Sequence, residues 1–341
     1  MLNLLKELCS IDGTSGREED VRSFIINQIQ DFCEYRVDPM GNILVFKKGK
    51  NIPKNKVMLS AHMDEVGFIV TYITDDGYIK FDTVGGIDSK VIAGRKVRFS
   101  QNENIIYGVI GLKPVHLISG AEKGKVPSVS DMYIDIGAAS KKEAMEYVSI
   151  GDSAYFVSEP IEFGNNKFKA KAIDDRFGCA VMIEMIRSEL PYDANFAFLV
   201  QEEVGLRGAG AAAYTISPDY AIVLEATTAA DVASVGDCDC VCKLSEGAVV
   251  SFMDRSTVYN HKMFKDAFRI AGDKGIKCQP KTTVAGGNDA GAIHKSNGGI
   301  KTITVSLPCR YIHSGTSTAD VRDMASCKEL AFALYEEYAN A

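Results

Sequence analysis

The chain has 341 residues, 46% hydrophobic and 24% charged, and Asp plus Glu (45) outnumber Lys plus Arg (38), leaving a net charge of −7. The acidic balance argues against a nucleic-acid binder, and no apolar run approaches the roughly 18 residues that span a bilayer. The amphipathic start Met1–Leu8 lacks the features of a signal peptide, and nine cysteines without disulfide-scaffold rhythm point to a reduced, cytoplasmic protein of about two domains.

In chain order, Ser15 with Glu18 three residues later reads as a capping box. It heads a helix whose apolar face is Val21, Phe24, Ile25, Ile29 and Phe32. Val57 to Ala61 reads as a strand. From about Gly67 to Glu162 the texture changes to short β-rich pieces such as Phe68–Ile73 and Lys96–Phe99. Turn signals separate them at Asp76-Gly77, Gly85-Gly86 and Asn102 to Asn104, and helical patterning appears only at Lys141 to Tyr147. A second helix starts near Asp175. Strand-like runs follow at Phe196–Val200, Tyr220–Leu224 and Lys301–Leu307, and a closing helix carries Leu330, Ala331, Leu334 and Tyr335 on one side. Strands alternating with helices predict an α/β domain over residues 1–66 and 163–341, interrupted by a compact β module over 67–162.

Polar residues gather where the apolar strands end. His62 and Asp64 would share a face of one strand. An imidazole there suits zinc or cobalt with a carboxylate orienting it, and a buried, hydrogen-bonded histidine is the alternative. Asp174 and Asp175 open the second helix, where capping explains them equally well. Glu202 and Glu203 follow a strand and precede Gly205, Gly208 and Gly210. Adjacent carboxylates are costly unless a cation or solvent offsets their repulsion. Glu225 ends a third strand, and His313 follows a fourth. Each residue alone reads as a solvated loop group. As a set they sit where open α/β sheets gather catalytic groups, with donors suited to zinc, cobalt or manganese and enough of them for two ions sharing a carboxylate.

Other signals are weaker. Cys238, Cys240 and Cys242 alternate as on one face of a strand, without the CxxC pairs of structural zinc. Ala285–Gly291 is a glycine-rich turn but neither a Walker motif nor GxGxxG, and no GxSxG elbow occurs. His116 and His294 read as structural or pocket-lining, His261 as a solvated helix residue.

The chain resembles the M42 family of di-metal aminopeptidases, which includes glutamyl and deblocking aminopeptidases and TET peptidases. The matching pieces are Ala61–Gly67 (AHMDEVG), Ile173–Cys179 (IDDRFGC), Gln201–Ala209 (QEEVGLRGA), Gly286–His294 (GGNDAGAIH) and Arg310–Ser314 (RYIHS). Val84–Asp88 (VGGID) and Ile134–Gly137 (IDIG) extend the match into the module. The resemblance implies a zinc-peptidase-like mixed sheet flanked by helices, with an inserted small β-barrel or PDZ-like module. It also implies that Asp174 bridges two divalent ions (zinc, cobalt or manganese), with Glu203 and His313 completing one site and His62 and Glu225 the other. Glu202 would be the general base, Asp64 would orient His62, and Gly287, Asp289 and His294 would contact substrate. Many relatives have Asp where this chain has Glu225, and an acidic residue after the last histidine, where Ser314–Thr318 offers none. Short peptides are the implied substrate, with no nucleic-acid or membrane partner. A homo-oligomer is also implied, a dimer formed through the module and a tetrahedral dodecamer. Two rival readings remain. One is glycoside hydrolysis, which needs two carboxyls about 5–9 Å apart across the bond and no metal. The other is a non-catalytic assembly protein, which would have no need of the base or the ligands.

Overall fold

All six residues of the run Val57–His62 are buried, as an apolar strand in the middle of a parallel sheet must be. The computed structural model describes residues 1–101, 104–120 and 124–341; the turn expected at Asn102 to Asn104 falls on residues 102 and 103, outside them. The chain lays down β1 (Glu34–Val37), β2 (Ile43–Lys47) and β3 (Val57–His62), then leaves the sheet. It forms β4 (Gly67–Ile73), β5 (Ile79–Val84), β6 (Lys96–Gln101), β7 (Asn104–Gly111), β8 (Tyr133–Asp135) and β9 (Ser153–Phe156). These close into a barrel in the order β4-β5-β8-β7-β6-β9. The chain returns with β10 (Ile161–Phe163), β11 (Lys167–Ala170), β12 (Ala194–Leu199) and β13 (Tyr220–Thr228). Last come β14 (Ala248–Val250), β15 (Cys278–Pro280), β16 (Lys301–Arg310) and β17 (Ser317–Asp320).

The mixed sheet has 11 strands in the order β1-β2-β12-β3-β13-β16-β17-β11-β10, with β14 joining β16 and β15. Strands β12, β3, β13 and β16 run parallel to one another, while β2 and β17 on either side are antiparallel to them. Helices flank the sheet. Ile173–Arg187 and the C-terminal helix Val321–Asn340 pack on each other and against β3 and β13, while Arg207–Ile216 packs on β12. The barrel has its own apolar core, where Phe68 meets Phe81 and Phe156 edge to face at 5.2 and 5.0 Å. It is tied to the large domain by Arg98, whose guanidinium donates to both carboxylate oxygens of Asp12 at 2.7 and 2.8 Å.

The observed elements track the expected ones, including a helix at Lys141–Tyr147. Among the described residues, no helix is long and apolar enough to cross a membrane. Four local expectations fail. No capping box forms: the first-domain helix is Glu19–Ile29 without a side-chain cap, because Ser15 and Glu18 bond elsewhere. Phe32 lies beyond that helix and is exposed. Cys238–Cys242 forms turns rather than a strand, with Cys238 exposed and the other two thiols turned to backbone carbonyls. His116 sits exposed in a short 3-10 turn, not in the packed interior.

Candidate active site

Three neighbouring strands deliver the site. His62 ends β3, Glu225 lies on β13 beside it, and Gln201–Glu203 leaves the end of β12 on its other side. Parallel pairing places their carboxyl ends together, which is why a groove forms there. Asp174 enters from the turn that opens the Ile173–Arg187 helix; it and Asp175 are joined by a cis peptide and have non-helical backbone angles. His313 comes from the turn after β16. Ala172, Gln201, Leu206, Tyr311 and His313 all have φ between 54° and 58°. This left-handed conformation costs an L-residue about 1–2 kcal/mol and persists where the surroundings enforce it.

The side chains form two adjoining groups. His62 Nε2 lies 3.4 Å from Asp174 Oδ1 and 3.8 Å from Glu225 Oε2. His313 Nε2 lies 3.3 Å from Asp174 Oδ2 and 3.4 Å from Glu203 Oε2. Asp174 therefore turns one oxygen to each group. A tetrahedral ion with donors at about 2.0–2.2 Å holds them about 3.3–3.6 Å apart, so the spacing suits coordination. Burial points the same way: His62 Nε2, Asp174 Oδ1 and Glu225 Oε1 are buried without a hydrogen-bond partner. Such orphaned polar atoms are expensive unless something binds them. This histidine–carboxylate cluster can hold metal.

The bonds behind these groups fix their aim. His62 Nδ1 donates to the carbonyl oxygen of Asp64 at 3.0 Å, leaving Nε2 free to face the centre. The Asp64 carboxylate lies beyond the end of β3, where it accepts from the amides of Glu202 and Glu203 at 3.0 and 3.1 Å. Ser15 Oγ donates to it at 2.6 Å, and Glu18 Oε1 accepts the Gln201 amide at 3.1 Å. The residues read as a helix cap thus brace the Gln201–Glu203 turn from both ends. His313 Nδ1 donates to the carbonyl of Gly86, on the barrel side, at 2.8 Å. Its neighbour Gly85 has φ +83° and stands against Glu203, where a Cβ would come within 3.2 Å of the Glu203 Cβ.

Electrostatics follow from burying so many acids together. Burial raises the Glu202 and Glu225 carboxyls well above the usual range, although His62 pulls both down. Burial pushes Glu203 up to about 8 against the pull of His313. Burial also works against charge on His62, but Glu225, Asp174 and Asp64 outweigh it and raise that imidazole well above its ordinary value. His313 is likewise raised, to about 9, because Asp174 and Glu203 outweigh burial. Asp174 is driven below the carboxylate range, since both histidines overcome its burial. The site gathers more carboxyl groups than histidines, and burial pushes three of them, Glu202, Glu203 and Glu225, toward the protonated form.

A cavity of about 150 Å³ opens beside these groups, walled by Glu202, Glu225, Thr227, Lys281, Gly287 and Ile312, among others. Gly287 therefore stands on the wall. Asp289 does not reach it: the side chain is fully buried, both oxygens lack partners, and burial raises it to about 7. His294 donates from Nδ1 to the Ala290 carbonyl at 2.7 Å and is not part of the lining. Sequence reading missed Ser15, Glu18 and Gly86 as braces, and Lys281, which stands in no recognisable motif.

The comparisons define the class of protein, a peptide hydrolase of exopeptidase type. Residues 41–330 match the family model for M42 glutamyl aminopeptidase, and the chain belongs to the M42 peptidase family. A putative aminopeptidase of Acetivibrio thermocellus is 39% identical, covering 97% of each chain. The lysyl aminopeptidase of Pyrococcus furiosus is 32% identical over 98% of this chain and 96% of its own. Among solved structures, the Pyrococcus horikoshii TET1 peptidase, which can assemble into a tetrahedron or a large octahedral shell, superposes with a TM-score of 0.86 at 37% identity, covering 97% and 98% of the two chains.

Proposed function

We propose that the protein is a metal-dependent aminopeptidase that removes N-terminal residues from short peptides, with two divalent ions held by His62, Asp174, Glu203, Glu225 and His313. The observation that carries this reading is Asp174, which turns one carboxylate oxygen to each histidine-containing group. The donor set admits zinc, cobalt or manganese, and the extra methylene of Glu225 adjusts the His62 side. Bound divalent ions would polarise the scissile carbonyl and acidify a water.

The chain's own residues supply the rest. Glu202, 3.9 Å from His62 Nε2 with its backbone pinned by Asp64, takes a proton from the attacking water and passes it to the leaving amine. Its raised pKa suits the second half of that exchange, when it must hold the proton. Asp64 keeps the Glu202–Glu203 turn and His62 in register. The excess of carboxylates attracts a free α-amine, which selects a peptide's N-terminus over an internal bond. The zinc-peptidase-like domain would comprise residues 1–66 and 163–341, with 67–162 as the module. We assign the protein to the cytoplasm from its cysteine usage, and self-association to the barrel. Ile105, Tyr107 and Val109 alternate along β7 with 49%, 60% and 47% exposure, and a homo-oligomer would cover them.

Elemental analysis of metal-loaded protein, with hydrolysis of aminoacyl reporter peptides in parallel, tests this reading. We expect two ions per chain and activity abolished by EDTA and restored by zinc, cobalt or manganese. One ion or fewer, or activity that survives EDTA as a carboxylate-pair glycosidase's would, counts against it. Light scattering should find a mass above the 37.0 kDa of one chain.

A further inference from the structure

Two buried cations that the chemistry above does not use stand on either side of Asp174 in the chain. Lys171, three residues before it, is 1% exposed, and Arg176, two residues after it, is fully buried. Both reach the segment that follows His62. Lys171 Nζ pairs with the buried Glu65 carboxylate. Arg176 Nε donates to the Met63 carbonyl at 2.7 Å, and its Nη2 lies 3.6 Å from Glu65 Oε1. The same cations hold the N-terminal segment. Lys171 donates to the Ile11 carbonyl at 3.1 Å and lies 3.0 Å from Asp12 Oδ1, while Arg176 Nη1 donates to the Leu8 carbonyl at 2.7 Å. Glu65 accepts the Gly13 amide at 3.1 Å.

This arrangement bears on the metal ligands. Asp174 Oδ1 is buried without a hydrogen-bond partner, so its direction depends on where its backbone is held. The step leading to it includes Ala172 at φ 54°, a conformation that persists only where the surroundings enforce it. Lys171 pins one side of that step and Arg176 the other. The segment they grip carries His62, whose Nε2 faces Asp174 Oδ1 at 3.4 Å. Lys171 and Glu65 also line, with Asp174, Glu203 and His313, one small cavity of about 10 Å³, about the room of a single water. The pair therefore adjoins the ligands. For stability alone it is a poor choice, because a buried ion pair contributes little beyond a neutral pair of similar shape. Its short, charge-assisted bond suits alignment.

We propose that the buried Lys171–Glu65 ion pair is a positioning pair for the metal centre, locking the Asp174 segment to the His62 segment at the separation that lets one carboxylate serve two ions. The proposal rests on the di-metal reading above. Its test is cobalt titration of the metal-free full chain, followed through the visible bands of cobalt, which report ligand geometry. Urea unfolding of the metal-free protein and kcat and KM of the cobalt-loaded protein accompany it. The variants are Lys171→Met, Glu65→Gln and the two combined. Methionine keeps an apolar stem near Tyr155, whose ring faces the ammonium at 5.8 Å, and glutamine keeps an acceptor for the Gly13 amide. We expect Lys171→Met to weaken cobalt binding by about ten- to a hundredfold and to shift the bands. Its kcat should fall by a similar factor with KM nearly unchanged. The double variant should recover the metal-free stability that either single change loses, without recovering affinity or bands. Variants that bind cobalt with wild-type affinity and bands overturn the proposal, whatever stability they lose, since the pair then only holds the N-terminal segment. A double variant that regains both stability and affinity also overturns it. If a single variant does not fold, the double variant decides by the same two readouts. Wild type that binds two cobalt ions but cleaves no reporter peptide overturns the aminopeptidase reading, and the pair is then judged on affinity and bands alone. Wild type that binds no more than one ion overturns the di-metal reading and the pair's role with it.

Discussion

The barrel and the large sheet bury different things. The barrel core is apolar throughout, built on Phe68, Phe81, Phe99 and Phe156, and no buried polar or charged side chain of the described residues lies between Val66 and Phe168. The large sheet buries His62, Asp64, Asp174, Asp175, Glu225 and Asp289 at or near its carboxyl end. Hydrophobic burial alone accounts for the first arrangement. The second lowers stability unless a ligand neutralises it, which is how a static fold marks its working end. Barrel and charged end meet at the Gly86 carbonyl, which aims His313.

The sharpest way to break the comparison is to disarm the charged end without disturbing its shape. Glu202→Gln should lower kcat by about two to four orders of magnitude while leaving metal content and melting temperature near wild type. Near-normal turnover would remove Glu202 from the chemistry. Stripping ions with a chelator should destabilise the large sheet far more than the barrel. Rebinding at a hundred times the dissociation constant returns about 2.7 kcal/mol, and hydrogen exchange resolved by segment should place that gain at residues 57–65, 171–176 and 199–226. Equal protection of the barrel would show the two regions to be one cooperative unit.

The joint between the regions can be loosened separately. Arg98→Met removes the paired bonds to Asp12 and should cost about 1.5–3 kcal/mol in urea unfolding, with a smaller effect on kcat than on stability. The smallest effect concerns acid. Although burial alone would raise the Asp12 pKa, Lys171 and Arg98 outweigh it and hold the carboxyl below its ordinary value. A depressed folded pKa stabilises above the unfolded value of about 3.9 and loses that contribution as pH falls through the folded one. The stability gap between wild type and Arg98→Met should therefore hold from pH 7 to about pH 5 and narrow toward pH 3. A gap that widens in acid would reverse the assignment.

Much of this molecule is legible before folding. Val57–Ala61, Phe196–Val200 and Tyr220–Leu224 are strands because both their faces are apolar, and the texture change near Gly67 marks the barrel because alternating short runs suit small closed sheets. The groups His62, Glu202, Glu203 and Glu225 were readable as a set because strand ends are where a parallel sheet exposes chemistry. Ser15 and Glu18 were not readable: capping and site-bracing use the same side chains, and the choice was made by Asp64 and Gln201, distant in sequence and adjacent only after folding. Lys281 carries no local pattern, and its isolation among carboxylates that do not reach it exists only in three dimensions. The sequence by itself determined the element types, the order of the motifs and the inventory of donors, since these depend on local periodicity and residue chemistry. The tertiary structure decided which oxygen of Asp174 faces which histidine, what holds each imidazole in place, and which cation enters the pocket, since those depend on distances between residues far apart along the chain.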